Sequence, residues 1–269
     1  MSDKILGLIA GNGKLPFLFA FKARKLGYQV VAMGVKGDTS FFLRFFVDKF
    51  KMFGVGELKK SFEFLRAQGA KEVIMAGQVD QKNLFDPSVK FDDEVQKLFK
   101  AISDRKADTI FSSIGNKLKE YDMALIEPAA LMKDYLAPKG TLTKRGPTEK
   151  ELVDIEFGRE LAKNMGGLDV GQTVVVKEKA IVAIEAMEGT DTTILRGGKI
   201  AQRGAVVVKM SKPKQDTRFD VPVIGPRTIK NMIKSKCACL AIESGKTIII
   251  DIGKTVKLAS RVGICIVSI

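Results

Sequence analysis

The chain has 269 residues, enough for two domains of ordinary size or for one large domain. Its 45% hydrophobic and 28% charged residues are typical of a soluble globular protein and exclude a disordered chain, a collagen and a disulfide scaffold. The formal net charge of +14 indicates attraction to phosphates or anionic lipid, and the alternative is a lysine-rich, solvated surface. Nucleic acid is a weaker candidate partner, because the chain has no tryptophan and only three tyrosines for stacking on bases.

The absence of histidine narrows the possible chemistry further. It excludes Ser-His-Asp and Cys-His nucleophile systems and every metal site that needs a histidine ligand. Acid–base or metal chemistry must therefore use Asp, Glu, Lys, Tyr, Cys or water. The three cysteines, at 237, 239 and 265, fit no metal-finger spacing and are expected to be packing residues in a reducing compartment.

The first 136 residues alternate strands and helices in the order of a doubly wound α/β domain. A buried strand at 4–9 leads into a glycine-rich turn, a helix at 15–26 and a second strand at 28–35. The alternation continues with strands at 51–53, 72–76 and 123–126, and helices at 57–68, 91–102 and 107–120. Because helical crossovers connect parallel strands, this order predicts a parallel sheet.

The second half has a different pattern. Turn-forming and helix-breaking residues cluster at 137–147, which we assign to a linker between domains at 1–136 and 148–269. Thr148 and Glu151 form a capping box that starts a helix ending at Asn164. The later elements predict a mixed α/β domain with at least one hairpin: strands at 172–177, 180–185, 205–210, 237–242, 247–250 and 263–267, and helices at 189–195, 228–234 and 255–260.

The turn after the first strand is the first candidate binding site. Gly11, Asn12, Gly13 and Lys14 precede a helix with Pro16 in its first turn. A Gly-x-Gly turn lets backbone N–H groups approach a phosphate or ribose at a helix start. The third glycine of a dinucleotide motif is absent, so the pattern favours a nucleotide-type site over an NAD site. A purely structural turn is the alternative.

The segment at 76–85 is the second candidate site. It follows the buried strand at 72–76, and ligands of open α/β folds bind at the carboxyl ends of such strands. Its amide and acidic side chains, including Gln78 and Asp80, are suited to reading the edge of a base. A polar surface loop is the alternative.

Three closely spaced carboxylates form the third candidate site. Glu185, Glu188 and Asp191 follow a buried strand and surround Gly189 and Thr190. Oxygen ligands at such a turn suit Mg²⁺. The alternative is an acidic helix N-terminus, where Glu and Asp are stabilising, and the spacing does not decide between the two.

A loop at 209–228, bounded by prolines, is the fourth candidate site. It carries cations that can neutralise a diphosphate and carboxylates that can hold a metal or orient water. Its candidate residues are Lys209, Lys212, Gln215, Asp216, Arg218 and Asp220. A charged surface loop is the alternative, but long structured loops of this kind are more often functional.

Other segments are given structural roles. The tetrapeptide at 244–247 resembles the end of a P-loop. However, its expected context is strand–turn–strand, and the glycine that a P-loop needs five residues before Gly245 is Leu240 in this chain. The aromatic run at 41–46 resembles a membrane wedge or an acyl-chain contact, and we expect a buried aromatic cluster instead. The N-terminus does not read as a signal peptide, and no apolar run is long enough to span a membrane.

Taken together, the motifs resemble one family, the UDP-2,3-diacylglucosamine pyrophosphatases of the LpxI type, which act in lipid A biosynthesis. The resemblance covers nearly the whole chain. It rests on GLIAGNGKLP at 7–16, GQVDQKNLF at 77–85, the segment from DVGQTVVVK to TILRGG at 169–198, and VKMSKPKQDTRFDVPVIGPRTI at 208–229. The combination of EGTD with QDTRFDVPVIG is specific, unlike the single Gly-x-Gly.

The resemblance implies an activity and a location. The family hydrolyses the phosphoanhydride of UDP-2,3-diacylglucosamine to UMP and 2,3-diacylglucosamine 1-phosphate (lipid X), and it depends on Mg²⁺. The implied fold is an N-terminal Rossmann-like domain followed by a C-terminal α/β domain. The implied location is the cytoplasm, peripheral on the cytoplasmic face of the inner membrane. A homodimer is also a possible state, and no nucleic-acid partner is expected.

The resemblance also implies roles for individual residues. Asp220 matches the catalytic aspartate and is flanked by Asp216 and Arg218; a metal-binding role is favoured because an ordinary aspartate is too acidic to be a strong base. The implied Mg²⁺ ligands are Asp220, Asp191 and Glu185. The implied substrate-binding residues are Gly11, Asn12, Gly13, Lys14, Gln78, Asp80, Gln172, Glu188, Gly189, Thr190, Lys209, Lys212 and Gln215.

The main alternative is a nucleotide- or lipid-binding protein without turnover, in which the acidic residues are structural. That protein would bind its ligand whether or not Asp220 is present.

Overall fold

The computed structural model describes residues 4–79, 86–104, 106–212, 218 and 221–269. These residues form two compact units. The N-terminal unit contains the described residues up to Met132 together with Arg218, and the C-terminal unit contains the described residues from Lys133 onward apart from Arg218.

The N-terminal unit contains a five-stranded parallel sheet in the order β3-β2-β1-β4-β5. The elements are β1 Ile5–Ala10, α1 Leu15–Lys25, β2 Gln29–Val35, a 3₁₀ helix Phe41–Phe45, β3 Lys49–Phe53, α2 Leu58–Ala67, β4 Glu72–Ala76, α3 Asp93–Ala101, α4 Ala107–Glu120, β5 Ala124–Leu125 and a 3₁₀ helix Pro128–Leu131. The predicted parallel α/β domain is confirmed. The strand order reverses between β1 and β4, which is where open α/β sheets bind ligands.

Helices cover this sheet because parallel strands have apolar side chains on both faces. On one face, Phe62 and Leu65 of α2 and Leu118 of α4 pack against Val31 and Val73. The 3₁₀ helix after β2 packs differently: only Leu43 is buried, and the four phenylalanines at 41, 42, 45 and 46 are exposed. The predicted buried aromatic cluster is therefore wrong, because this short helix turns one side chain toward the core and leaves the rings outside.

The C-terminal unit contains a six-stranded mixed sheet in the order β6-β13-β11-β9-β7-β8 and a small parallel pair, β10-β12. The elements are a 3₁₀ helix Lys133–Tyr135, β6 Gly140–Thr141, α5 Glu149–Gly167, β7 Thr173–Lys177, β8 Ala180–Ile184, α6 Gly189–Ala201, β9 Val206–Lys209, β10 Val223–Ile224, α7 Pro226–Lys234, β11 Cys239–Ile242, β12 Ile248–Ile249, α8 Ile252–Arg261 and β13 Cys265–Ser268. The predicted mixed α/β unit and its β7–β8 hairpin are confirmed.

Helix α6 extends six residues beyond the predicted end at 195. Its glycines at 197 and 198 suggest a helix end in the sequence, but they lie where the helix approaches its neighbours most closely. A Cβ on Gly197 would lie 2.8 Å from Cβ of Val175, and one on Gly198 would lie 2.1 Å from Cβ of Ser235. The glycines therefore allow close packing within a continuous helix.

Several smaller predictions are also settled. The segment at 244–247 connects β11 and β12 without starting a helix, which agrees with rejecting a P-loop. The three cysteines are free and buried, as expected for packing residues. In the part of the chain that the structure describes, no helix is long and apolar enough to cross a membrane.

The segment at 137–147, assigned to a linker from the sequence, contributes to the C-terminal unit. It contains β6, which pairs with β13, and Arg145, which reaches across to the sheet. The Arg145 guanidinium donates two hydrogen bonds of 2.8 Å to the Glu151 carboxylate and one of 2.6 Å to the Ala238 carbonyl. Glu151 also completes the predicted capping box with Thr148. This segment is therefore anchored to the C-terminal unit by hydrogen bonds.

Replacing Arg145 with methionine is expected to destabilise the protein by about 2 kcal/mol, because Glu151 is buried and would lose its cation. Burial opposes ionisation of Glu151, but Arg145 and the Thr148 amide outweigh it and lower its pKa. The stabilisation of the fold by ionised Glu151 is therefore fully present above the unfolded-state pKa of about 4.3. It is lost as the pH falls through the lower folded-state pKa. Urea unfolding should therefore show a difference from wild type at pH 7 that shrinks in acid.

The matched control is Arg159→Met, which breaks an exposed pair with Glu156. Such surface pairs contribute at most about 1 kcal/mol. An equal effect of the two substitutions would contradict the role given to Arg145.

Candidate active site

The two glycine-containing turns of the N-terminal unit are joined at the carboxyl edge of its sheet. The Gly11 amide donates to the Ala76 carbonyl at 2.8 Å, and the Asn12 amide donates to the Gln78 carbonyl at 2.6 Å. The Gln78 amide returns a hydrogen bond of 3.2 Å to the Asn12 carbonyl. The first two candidate segments therefore meet at the point where the strand order reverses. This agrees with the general observation that open α/β sheets bind ligands at that point, outside the carboxyl ends of the strands.

Glycine is required at this junction. A Cβ on Gly11 would lie 2.4 Å from the Gln78 carbonyl oxygen, and one on Gly77 would lie 2.5 Å from the Asn12 carbonyl oxygen. The Gly11 and Asn12 amides already donate to backbone carbonyls, so neither is free to donate to a phosphate without giving up that hydrogen bond. The turn still presents the exposed side chains of Asn12, Lys14 and Gln78, and exposed Gly13 at a φ of +96°. Asp80 lies outside the described residues.

A buried polar cluster lies at the carboxyl end of β9 in the C-terminal unit. The Lys209 ammonium donates to Thr190 Oγ1 at 2.7 Å and to Thr173 Oγ1 at 3.4 Å. The Thr190 hydroxyl in turn donates to Glu185 Oε1 at 2.8 Å. We call Thr173, Glu185, Thr190 and Lys209 the lysine cluster. It contains three residues predicted for the site and one, Thr173, that was not predicted.

The backbone brings these four side chains together. Thr173 opens β7 and is the register partner of Lys209, which ends the neighbouring antiparallel strand β9. Glu185 directly follows β8, and its amide donates to the Thr173 carbonyl at 2.9 Å. Thr190 lies in the first turn of α6. The lysine cluster is therefore fixed by three strands and a helix start.

The lysine cluster is almost closed to solvent. Lys209 is 4% exposed and Glu185 is 8% exposed. Glu185 Oε2 accepts no hydrogen bond from the described residues and lies 3.9 Å from the Lys209 ammonium. A buried charge pair is stable only when hydrogen bonds satisfy its remaining atoms. The arrangement therefore has an ammonium held by hydroxyl groups and one carboxylate oxygen available for another donor.

A second set of polar contacts extends from β9 along the same edge. The Lys212 ammonium is paired with Asp169, and the Ser211 amide donates to Glu243 Oε2 at 2.9 Å. Burial raises the pKa of Glu243, but its hydrogen bonds from Lys246 and Ser211 outweigh this effect and lower it. Gln172 holds the start of the loop, since its carbonyl accepts from the Met210 amide at 2.9 Å.

Asp169 and Glu243 were not predicted as site residues. Glu243 directly follows β11, so the rule that ligands bind at the carboxyl ends of parallel strands could have identified it. Asp169 and Thr173 both lie inside the motif segment at 169–198, but nothing in their spacing distinguishes them there.

The remaining acidic residues of the third candidate segment form ion pairs with two arginines. Asp191 Oδ2 lies 2.6 Å from Arg227 Nε. Glu188 is exposed and lies 2.6 Å from Arg196 Nη2. Partial burial opposes ionisation of Glu188, but Arg196 and backbone amides outweigh it and lower its pKa. Gly189 begins α6 at a φ of +78°. The three carboxylates therefore do not converge on one point.

This arrangement bears on the predicted Mg²⁺ site. Among the residues that the structure describes, no three Asp, Glu or Cys side chains converge as metal ligands. Glu185 and Asp191, two of the predicted ligands, each lie beside a cation. Gln215, Asp216 and Asp220 lie outside the described residues, and Arg218 belongs with the N-terminal unit, beside Gly115 of α4. The described residues therefore do not form a protein-held magnesium site by themselves.

The fold and these sites define a two-unit α/β protein with a nucleotide-type turn in one unit and a buried lysine cluster in the other. Comparison with family models identifies the family. The LpxI N-terminal domain matches residues 5–135, and the LpxI C-terminal domain matches residues 138–267. The chain belongs to the LpxI family.

One curated relative is the UDP-2,3-diacylglucosamine pyrophosphatase LpxI of Caulobacter vibrioides. It is 28% identical over 279 aligned residues, which cover 98% of this chain and 97% of the relative.

Solved structures give much weaker similarity. The biotin carboxylase domain of a thermophilic 2-oxoglutarate carboxylase matches 63% of this chain at a TM-score of 0.28 and 13% identity. The corresponding domain from Hydrogenobacter thermophilus matches 73% at a TM-score of 0.29 and 13% identity. The chain spans only 34% and 40% of those two chains. TM-scores this low establish no shared fold.

Proposed function

We propose that this protein hydrolyses the phosphoanhydride of UDP-2,3-diacylglucosamine to UMP and 2,3-diacylglucosamine 1-phosphate, a step of lipid A biosynthesis. The observation that carries the proposal is the match of the LpxI family models to both units, over residues 5–135 and 138–267. The curated relative supports it, because the alignment covers nearly all of both chains and that protein is named for this activity.

In this reaction a water oxygen attacks one of the two phosphorus atoms, and a new P–O bond forms. The anhydride P–O bond breaks, its electron pair remains on the other phosphate, and the protons of water are released to groups nearby or to solvent. Charge accumulates on phosphate oxygens as the bond breaks, so fixed hydrogen-bond donors and cations stabilise the transition state. The buried Lys209 ammonium, held in place by the Thr173 and Thr190 hydroxyl oxygens, is suited to this role.

Other residues receive roles on the strength of the resemblance. The exposed side chains of Asn12, Lys14 and Gln78 are proposed to bind the nucleotide portion. Asp220 is proposed as the catalytic carboxylate, flanked by Asp216 and Arg218.

We also propose that the activity depends on Mg²⁺. Glu185 and Asp191, two of the predicted ligands, each already lie beside a cation, so they do not hold the metal by themselves. When bound beside a diphosphate, Mg²⁺ neutralises part of its negative charge.

The substrate has two acyl chains, so the protein is proposed to work at a membrane surface, on the cytoplasmic face of the inner membrane. A homodimer is the proposed assembly, and size-exclusion chromatography with light scattering tests it directly.

The test of the proposed function is UMP release from UDP-2,3-diacylglucosamine dispersed in detergent, measured with Mg²⁺ and with excess EDTA. We expect UMP and the monosaccharide phosphate in equal amounts with Mg²⁺ and almost none with EDTA. Equal rates under both conditions would refute the metal requirement. Tight binding of the substrate without turnover would refute the proposed function and favour a binding protein.

A further inference from the structure

The 3₁₀ helix of the N-terminal unit and the residue after it carry a cluster of exposed aromatic rings. Four rings are between 45% and 69% exposed, whereas Leu43 is fully buried. Water-soluble surfaces rarely keep so many large apolar side chains together, because burying each of them is favourable. These rings, together with the guanidinium between them, form what we call the aromatic tip: Phe41, Phe42, Arg44, Phe45 and Phe46.

The aromatic tip is held in place by the core. Leu43 fills a buried position, and its amide donates to the Ser40 carbonyl at 3.0 Å. The buried Thr39 hydroxyl accepts from the Val35 amide at 2.8 Å and donates to the Ala10 carbonyl. The rings are therefore presented on an anchored segment, and little conformational entropy is lost when they bind.

The period of a 3₁₀ helix places residues three apart on the same side. Phe42 accordingly lies next to Phe45, with ring centroids 6.4 Å apart, and the Arg44 guanidinium lies 4.8 Å from the Phe41 ring centroid. The neighbouring edge strand β3 adds the exposed lysines at 49 and 51. The aromatic tip therefore combines an apolar end with cations beside it, which complements an anionic lipid surface.

The position of the aromatic tip suits a lipid-processing enzyme. The Phe46 ring lies 5.2 Å from the Phe17 ring in the first turn of α1. That turn follows the glycine-rich segment at 11–14, which carries the candidate nucleotide-binding side chains. Binding of the aromatic tip to a bilayer would therefore place this edge of the sheet close to the lipid surface.

A second copy of the chain fits the aromatic tip less well. At about 200 Å² for each phenylalanine, the exposed fractions of the four rings amount to roughly 500 Å². A stable protein–protein interface needs about 800 Å² on each partner. The cations of the aromatic tip would also repel those of an identical tip.

We propose that the aromatic tip inserts into the interfacial region of a bilayer that contains anionic phospholipid, and so docks the enzyme on the membrane that holds its substrate. The link to the substrate rests on the proposed function, but docking itself is measured without turnover. Aromatic rings are favoured at the level of the lipid head groups, and the adjacent cations gain from anionic lipid.

The first experiment uses the absence of tryptophan from this chain. Phe42→Trp gives a protein with a single tryptophan in the aromatic tip, and Phe157→Trp places one on the exposed part of α5 as a control. With vesicles of phosphatidylcholine and phosphatidylglycerol that carry brominated acyl chains, we expect a blue shift and quenching for the first variant only. Absence of quenching at the tip, or equal quenching of both variants, would overturn the proposal.

The second experiment removes the rings. Phe42→Ser with Phe45→Ser is compared with Phe157→Ser with Leu168→Ser, a matched pair of exposed sites on and after α5. Each interfacial phenylalanine contributes roughly tenfold to partitioning, so cosedimentation with the mixed vesicles should fall about 100-fold for the tip variant alone. Arg44→Gln should lower binding to mixed vesicles about fivefold and leave binding to pure phosphatidylcholine unchanged.

Undiminished vesicle binding by the tip variant would overturn the proposal, as would a change from dimer to monomer without loss of vesicle binding. Turnover of detergent-dispersed substrate separates this inference from the proposed function. Wild-type protein that binds vesicles but releases no UMP would refute the proposed function and leave the docking surface in place.

Discussion

Asp220→Asn is expected to lower kcat for UMP release by about 10³-fold, since general acid–base groups and groups that orient water contribute roughly 10²–10⁴. The resemblance places Asp220 at the catalytic position. Two described aspartates of the C-terminal unit are weaker candidates for this role, because each is already paired with a cation. Asp169 is paired with Lys212, and Asp191 is paired with Arg227.

Two glutamates of the C-terminal unit, one of them in the lysine cluster, are engaged as well. Glu185 accepts from Thr190, and Glu243 accepts from the Ser211 amide and Lys246. The resemblance assigns the catalytic carboxylate instead to Asp220, in the acidic loop that also contains Asp216.

Replacing the Asp220 carboxylate with a carboxamide keeps the size of the side chain and removes its charge, so the fold should be retained. Steady-state UMP release measures the effect, with circular dichroism and thermal unfolding as checks on folding. The matched control is Asp154→Asn, a buried acid far along the chain that accepts from the Glu178 and Lys179 amides. A kcat within tenfold of wild type for Asp220→Asn would contradict its catalytic role.

Much of the fold was predictable because the apolar periodicity and the glycine turns are local signals. The meeting of the turns after β1 and β4 also followed from a general rule about the edges of parallel sheets. What the sequence did not reveal is that the Gly11 and Asn12 amides are used by the other turn. That hydrogen bonding joins segments that lie far apart along the chain, and a local motif carries no information about it.

The acidic segment at 185–191 shows a similar limit. Its spacing was compatible with a shared metal, but the cations that face it come from distant elements: Lys209 from β9 and Arg227 from α7. The arrangement of these partners depends on strand register and helix packing. The sequence therefore indicated candidate residues, and the structure shows which charges oppose each other.

The aromatic run at 41–46 was misjudged for a different reason. Hydrophobic content predicts burial on average, but it does not state which residues of a short helix face inward. In this 3₁₀ helix Leu43 faces the core, and the neighbouring rings lie at the surface.

Lys209→Met is expected to lower kcat/KM by about 10²- to 10³-fold, the usual cost of removing a fixed donor from a charge-stabilising site. It should also destabilise the protein by about 3–5 kcal/mol, because the buried Glu185 carboxylate would lose the cation beside it. Urea unfolding and UMP release measure the two effects separately. Lys60→Met, which breaks an exposed pair with Glu57, is the control and should leave stability close to that of the wild type.

The double variant Lys209→Met with Glu185→Gln distinguishes a catalytic from a structural role for the lysine. It removes both charges and leaves an amide oxygen that can accept from Thr190, so most of the lost stability should return. Activity should stay low, because the donor to the diphosphate is still missing. Recovery of activity together with stability would show that Lys209 only supports the fold, and activity of the single variant within about threefold of wild type would exclude it from the reaction.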